Sequence, residues 1–151
     1  MSELTAFEER LSALIANLSP ASRKEMAAEI AKKLRASQQQ NIRAQHAPDG
    51  TPFAARKKQP IRAKKGRVKR EMFAKLRTNK YMKAKGTSND ATVEFAGSVQ
   101  RMARVHHYGL RDKPSKNSKE KDVQYEERPL LGLCDHDIKE IESILISNIS
   151  I

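Results

Sequence analysis

LTAFEERLSALIANLSP, residues 4–20, decides how the chain begins to fold. Leu4, Phe7, Leu11, Leu14, Ile15 and Leu18 recur at spacings of three and four, which lines one face of an amphipathic helix. The run stops at Ser19-Pro20. A serine oxygen caps the helix after it, and proline suits a first helical position because the missing amide hydrogen has no partner there. The sequence therefore predicts a second helix from Pro20 to about Arg43. Its apolar face, Ala27, Ile30, Ala31, Leu34 and Ile42, is thin and lies among Lys, Arg and the run Gln38, Gln39, Gln40. A helix of that composition takes part of its cover from a neighbour. The short junction allows an antiparallel pair with the first helix or a nearly straight pair reaching onto another subunit.

Beyond the second helix, Pro48, Asp49, Gly50, Thr51 and Pro52 form a dense cluster of turn formers that ends it, with Phe53 as its apolar anchor. Residues 54–66, AARKKQPIRAKKG, have almost no apolar period and read as an extended basic arm or loop. A helical pattern returns at Val68, Met72, Phe73 and Leu76 and fades before Gly86. Ala91 to Phe95 alternates as a half-buried strand does. Val99 to Leu110 fits a short helix or a strand, and charged residues 111–122 with Pro114 read as a loop. Arg128, Pro129 and Gly132 give 125–133 a turn-like character. A last helix should start near Asp135 or Asp137, acids that suit a helix N-terminus, and bury Ile138, Ile141, Ile144, Leu145 and Ile149. The expected class is α+β: an N-terminal helix pair (1–45), a turn and basic arm (46–66), and a body (67–151) with a small antiparallel sheet, packed helices and a C-terminal helix. These form one cooperative domain with an appendage, the N-terminal helices standing partly away from the body.

With 151 residues, 38% of them hydrophobic and 32% charged, the chain has material for one modest core. Its net charge of +12 is concentrated: residues 56–85 hold fourteen Lys and Arg against Glu71, or +13, leaving about −1 elsewhere. Such a field attracts phosphate, an acidic protein face or an anionic membrane. Cys134 is the single cysteine, so no internal disulfide forms and a reducing cytoplasm suits the chain. The acids and arginine within the first apolar pattern are unlike a signal peptide, and no apolar stretch approaches the roughly 20 residues of a membrane span. A soluble, intracellular product without membrane partners is expected.

Catalytic chemistry finds little support. His106 and His107 are adjacent, so their rings point in different directions, which favours one buried or interface histidine and one exposed one over a shared metal. Asp135, His136 and Asp137 sit where a helix begins and read as capping residues, and Cys134 has no evident catalytic partner. No phosphate loop, GxSxG elbow or HExxH helix occurs. The expectation is a non-enzyme with no cofactor, metal or small-molecule substrate. Within the basic segment only Phe73 and Tyr81 are aromatic, so any nucleic acid would be held through phosphate.

Four motifs then occur in order: QHAPDGTPF at Gln45–Phe53, GRVKREMFAKL at Gly66–Leu76, VHHYGL at Val105–Leu110 and RPLLGL at Arg128–Leu133. With the leading FEERLSALIANLSP they resemble, over nearly the whole chain, the tail completion family of temperate contractile-tailed phages. GRVKREMFAKL is similar to that family's basic helix. His107 and Tyr108 depart from its Gln-Phe, and Glu126-Glu127 from its Pro-Ala. The resemblance implies a virion assembly protein without catalytic residues, made in the host cytoplasm and placed in the tail at the end that meets the head. It implies other tail proteins as partners and a homo-oligomeric ring matching the sixfold symmetry usual for contractile tails. Turn chemistry and semi-polar aromatics mark Asp49, Gly50, Phe53, His106, Tyr108, Gly109, Arg128 and Pro129 as contact residues. Lys57, Lys58, Arg62, Lys64, Lys65 and Arg67 of the arm would face acidic tail subunits or DNA in the channel. The competing reading is a basic architectural nucleic-acid-binding protein.

Overall fold

A computed structural model describes residues 2–56, 71–113 and 121–149. Helix α1 spans Ser2–Ala16 and α2 spans Pro20–Arg43, as the two periodic runs predict. The Ser19 side chain caps α2, its Oγ accepting the Ser22 N–H at 3.1 Å. Strands β1 (Met82–Gly86) and β2 (Ala91–Phe95) pair as a two-stranded sheet. Helix α3 (Gln100–Tyr108) comes next, then a second antiparallel pair, β3 (Arg111–Asp112) with β4 (Val123–Gln124), and finally α4 (Asp135–Ile149). The class is α+β.

Two compact units share the chain. The first takes the described parts of Met1–Arg35, Ala84–Val93 and Asp135–Ile151. Its core is Met26, Ile30 and Ile144, with Ile15, Leu18, Leu34, Ala91, Ile141 and Leu145 packed around them. Burying each large aliphatic side chain contributes about 1.5–3 kcal/mol. On α4 the buried face centres on Asp137 and Ile144, so Ile138, about 100° round from Asp137, is exposed rather than buried as expected. The uncovered apolar residues of the N-terminal helices lie on α1, at Leu4, Phe7 and Leu14. The Leu and Ile residues of α2 are buried or half-buried.

The second unit takes the described parts of Ala36–Lys83 and Glu94–Cys134. Ile42, Phe53, Leu76, Met82, Phe95, Ala103, Val105 and Leu130 are buried in it. Three expectations are corrected here. The helical pattern through Met72, Phe73 and Leu76 forms successive turns over 72–81, because Phe73 has φ +63° and a right-handed helix cannot pass through it. Val68 lies outside the described residues. After these turns the chain enters strand β1 instead of a fading helix; its MKAKG buries a single large apolar residue, Met82, and so carries almost no hydrophobic alternation. The loop expected over 111–122 contains β3, and β4 begins just after it, with Arg111 opposite Gln124 and Asp112 opposite Val123. The ambiguous 99–110 stretch is helical.

Gly86 is fixed by packing within the first unit. A Cβ there would meet the Ala28 backbone nitrogen and lie 2.6 Å from the Ala27 carbonyl carbon. Backbone cannot rotate away as a side chain can, so Gly86→Ala is expected to destabilise the protein by about 2–3 kcal/mol, read from urea denaturation midpoints.

A candidate protein interface built around an extended strap

Two of the sequence motifs meet at the end of α2. The helix closes with Gln45 in the left-handed region, φ +60°, its N–H donating to the Ile42 carbonyl at 2.9 Å and the His46 N–H to that of Asn41 at 3.1 Å. Glycine usually takes this terminating position. Glutamine holds it because its side-chain amide reaches Met72, with Nε2 donating to the Met72 carbonyl at 2.9 Å and Oε1 accepting the Met72 N–H at 3.0 Å. The chain then reverses through Ala47–Thr51. Gly50 N–H donates to the Ala47 carbonyl, Ala47 N–H donates to the Thr51 carbonyl, and Gly50 carries φ +90°. Asp49 accepts the Thr51 N–H at 2.9 Å, which holds its carboxyl below the usual carboxylate range.

RPLLGL runs beside this turn as an extended strap with no strand partner, so its backbone groups must be satisfied one by one. Alternate amides do so. Arg128 N–H donates to the His106 carbonyl at 2.9 Å, Leu130 N–H to His107 Nδ1 at 3.0 Å and Gly132 N–H to Gln38 Oε1 at 3.1 Å. The Gln38 Nε2 returns a bond to the Gly132 carbonyl at 2.9 Å, and both Gln38 and Leu130 are buried. Arg128 points the other way, Nε donating to the Ala54 carbonyl at 2.8 Å and a terminal nitrogen to that of Ala55 at 3.0 Å. Burial pulls the Arg128 guanidinium below the usual arginine range, and nearby Arg56 adds to this against the opposing charge of Glu126.

VHHYGL supplies the third side. Gly109 ends α3 at φ +66°, and Leu110 N–H returns to the Val105 carbonyl at 2.9 Å. A Cβ at Gly109 would lie 2.8 Å from the Glu127 nitrogen, so glycine is needed for conformation and for space. The two histidines part as their adjacency requires, yet both are half-buried rather than one of them exposed. The His106 ring stands edge-on between Phe73 at 5.1 Å and Tyr125 at 4.8 Å, and Phe73 meets Phe53 at 5.6 Å. Its buried Nδ1 has no hydrogen-bond partner among the described residues. Burial, with Arg128 nearby, pushes the His106 pKa down; burial lowers that of His107 against the charge of Glu127.

Of the residues singled out from sequence, Asp49, Phe53, Arg128 and Pro129 line one recess of about 180 Å³. Gly50 lies on its turn, the His106 carbonyl is bonded to the strap next to it, and Gly109 packs against Glu127 just before the strap. Their exposures divide them. Phe53 and Arg128 are buried and hold the unit together, whereas Asp49, Gly50 and Tyr108 are exposed, Tyr108 at 61%. Lys57, Lys58, Arg62, Lys64, Lys65 and Arg67 lie outside the described residues. Sequence reading missed Gln38, Gln45 and Tyr125. The signal for the first two was present: they are seven residues apart, on one face of α2 and its terminus. Among the described residues no three His, Cys, Asp or Glu side chains group as metal ligands do, and no helix is long and apolar enough to cross a membrane.

The strap is thus braced by His106 and His107 of VHHYGL, by Gln38 of α2 and by the Ala54 and Ala55 carbonyls. Residues 2–150 match the model of the phage virion morphogenesis family. The chain belongs to that family. Among relatives of this family member, the tail completion protein S of Escherichia phage P2 is 45% identical over 150 residues, covering 99% of each chain. No solved structure matches it.

Exposure separates two roles within this family member's site. Phe53→Ala should cost about 3 kcal/mol in thermal or chemical denaturation, because it empties a packed ring position. Tyr108→Ala should change stability by less than about 1 kcal/mol, since its ring is largely exposed and meets the His107 ring edge-on with centroids 4.6 Å apart. The histidines set a pH response. Their folded pKa values lie below the unfolded value of about 6.5, so on acidification the unfolded chain takes up protons first. Stability should be fully present above about pH 6.5 and fall as pH drops through the folded values. His106→Phe, which keeps a ring between Phe73 and Tyr125, should flatten part of that slope in denaturation curves taken from about pH 7.5 to 5.

Proposed function

We propose that this chain is a structural subunit of a contractile phage tail that completes the end nearest the head and makes the tail competent for head joining. The carrying observation is the end-to-end match to a protein named for tail completion, at 45% identity. The geometry supports a contact role. The strap is held by the His106 carbonyl and the His107 and Gln38 side chains instead of a strand, and Asp49, Gly50 and Tyr108 are exposed to meet a partner. The working form is a homo-oligomeric ring bound to other tail proteins, built in the host cytoplasm and retained in the virion. Exposed Leu4, Phe7, Leu14 and Ile146 are apolar surface that such a ring would cover. Electron microscopy of tails made with and without the protein tests this. The reading requires unfinished or headless tails in its absence and restoration when it is supplied. Complete, infectious particles made without it would refute it.

One observation favours a second reading, a basic architectural nucleic-acid-binding protein: the +13 of residues 56–85. That reading requires DNA affinity of the isolated protein that falls by orders of magnitude as salt rises, since each neutralised phosphate releases counterions. In the tail reading the same charge faces acidic subunits or channel DNA. Replacing Lys57, Lys58, Arg62, Lys64, Lys65 and Arg67 by Gln should then leave the circular dichroism spectrum and melting temperature nearly unchanged, because charges engaged with a partner add little to the chain's own stability. Yield of infectious particles should nevertheless fall, and assembly should depend less on salt than in the parent. Normal particle yield from the folded variant would reduce the arm to a solvated loop.

A further inference from the structure

Helix α1 leaves a stripe of its apolar face uncovered in its own unit. Ile15 and Leu18 pack onto the Met26, Ile30 and Ile144 core, but Leu4 is 60%, Phe7 61% and Leu14 43% exposed. Positions 4, 7, 11 and 14 alternate three, four and three apart, the narrow seam of a helix that packs along another element rather than the broad stripe of a core helix. Glu3 and Glu8 border the seam, as does Arg10, seven residues after Glu3 on the same side, and with Glu9 they give α1 a charge of −2 in a chain of +12.

The second unit carries the opposite surface. The helix α3 and strand β3 border an open groove of about 430 Å³, with Val105 and Leu110 as its apolar lining and Arg101, Arg104 and Arg111 around it. Asp112 pairs with Arg101 at 2.8 Å, which leaves the exposed Arg104 and Arg111 to set the field. The lining residues sum to +2.

We infer that α1 of one copy docks in the α3–β3 groove of a second copy. This rests on the homo-oligomer reading above and supplies its contact. An apolar seam on a helix of charge −2 meets a groove of charge +2 whose apolar lining is Val105 and Leu110, and every copy carries one of each. Parallel pairing of α1 with its own counterpart is disfavoured, because it would bring Glu3 toward Glu8 of the other copy. Because two different surfaces meet, the contact is head-to-tail and propagates into a ring or a filament instead of stopping at a twofold dimer.

Sedimentation velocity on the full chain tests this with two variants, Glu3→Lys with Glu8→Lys and Arg104→Glu with Arg111→Glu. All four positions are exposed, so folding should survive, which circular dichroism checks, and the corresponding Gln substitutions serve where a reversal disturbs it. Self-association of each variant should weaken by about tenfold or more, and an equimolar mixture should regain it, since reversed helix then meets reversed groove. Wild-type association should weaken with salt. An oligomer indifferent to the arginine reversals, or reversed variants that fail to associate when mixed, overturns this contact while leaving the ring intact. A wild-type protein that stays monomeric at every concentration and within purified tails overturns the ring and the contact together.

Discussion

An extended segment without a strand neighbour must find a partner for every buried amide, and in this protein that requirement organises the second unit. The strap from Arg128 to Gly132 presents alternate N–H groups on one side, and they are taken by a helix carbonyl, an imidazole nitrogen and a glutamine amide. Each of these partners is itself constrained. His106 can offer its carbonyl because α3 ends there at Gly109, Gln38 can offer its amide because α2 continues past Arg35, and Arg128 draws Ala54 and Ala55 against the strap. Losing one bond leaves a buried polar group stranded, at a cost of about 1–3 kcal/mol. Motifs far apart in sequence are thereby tied into one network.

Glutamine repeats this role. Gln38 and Gln45 each present an amide whose nitrogen donates to a backbone carbonyl and whose oxygen accepts the N–H of the same residue, Gly132 in one case and Met72 in the other. A side-chain amide used this way imitates one rung of a β-ladder. A helix with a meagre apolar face thus organises its unit by polar pairing, which is directional and specifies position more sharply than burial does. The same economy explains how a chain with 38% hydrophobic residues holds a defined shape.

Much of the architecture is legible in the residues alone. The three-and-four spacing of α1, Ser19-Pro20, the turn formers at 48–52 and the acids in the first turn of α4 each carry a local signal that survives packing. Asp49, Phe53, Arg128 and Pro129 stand out separately in the sequence and line one recess, because turn chemistry marks places where distant segments are brought together. Pattern misleads where tertiary context outweighs it. Met72, Phe73 and Leu76 have helical spacing, but Phe73 turns left-handed and Gln45 occupies the Met72 backbone. Met82 alone could not announce a strand. No composition rule predicts a glutamine that serves as backbone, and none sorts buried Phe53 from exposed Tyr108.

The bond between Leu130 and His107 has a consequence for what the surface can say to a neighbour. An imidazole that accepts at Nδ1 while neutral must carry its proton on Nε2. That nitrogen is then fixed as a donor. It cannot coordinate a cation or withdraw a proton without first breaking the strap, so while the strap holds, the ring can act through Nε2 as a donor alone.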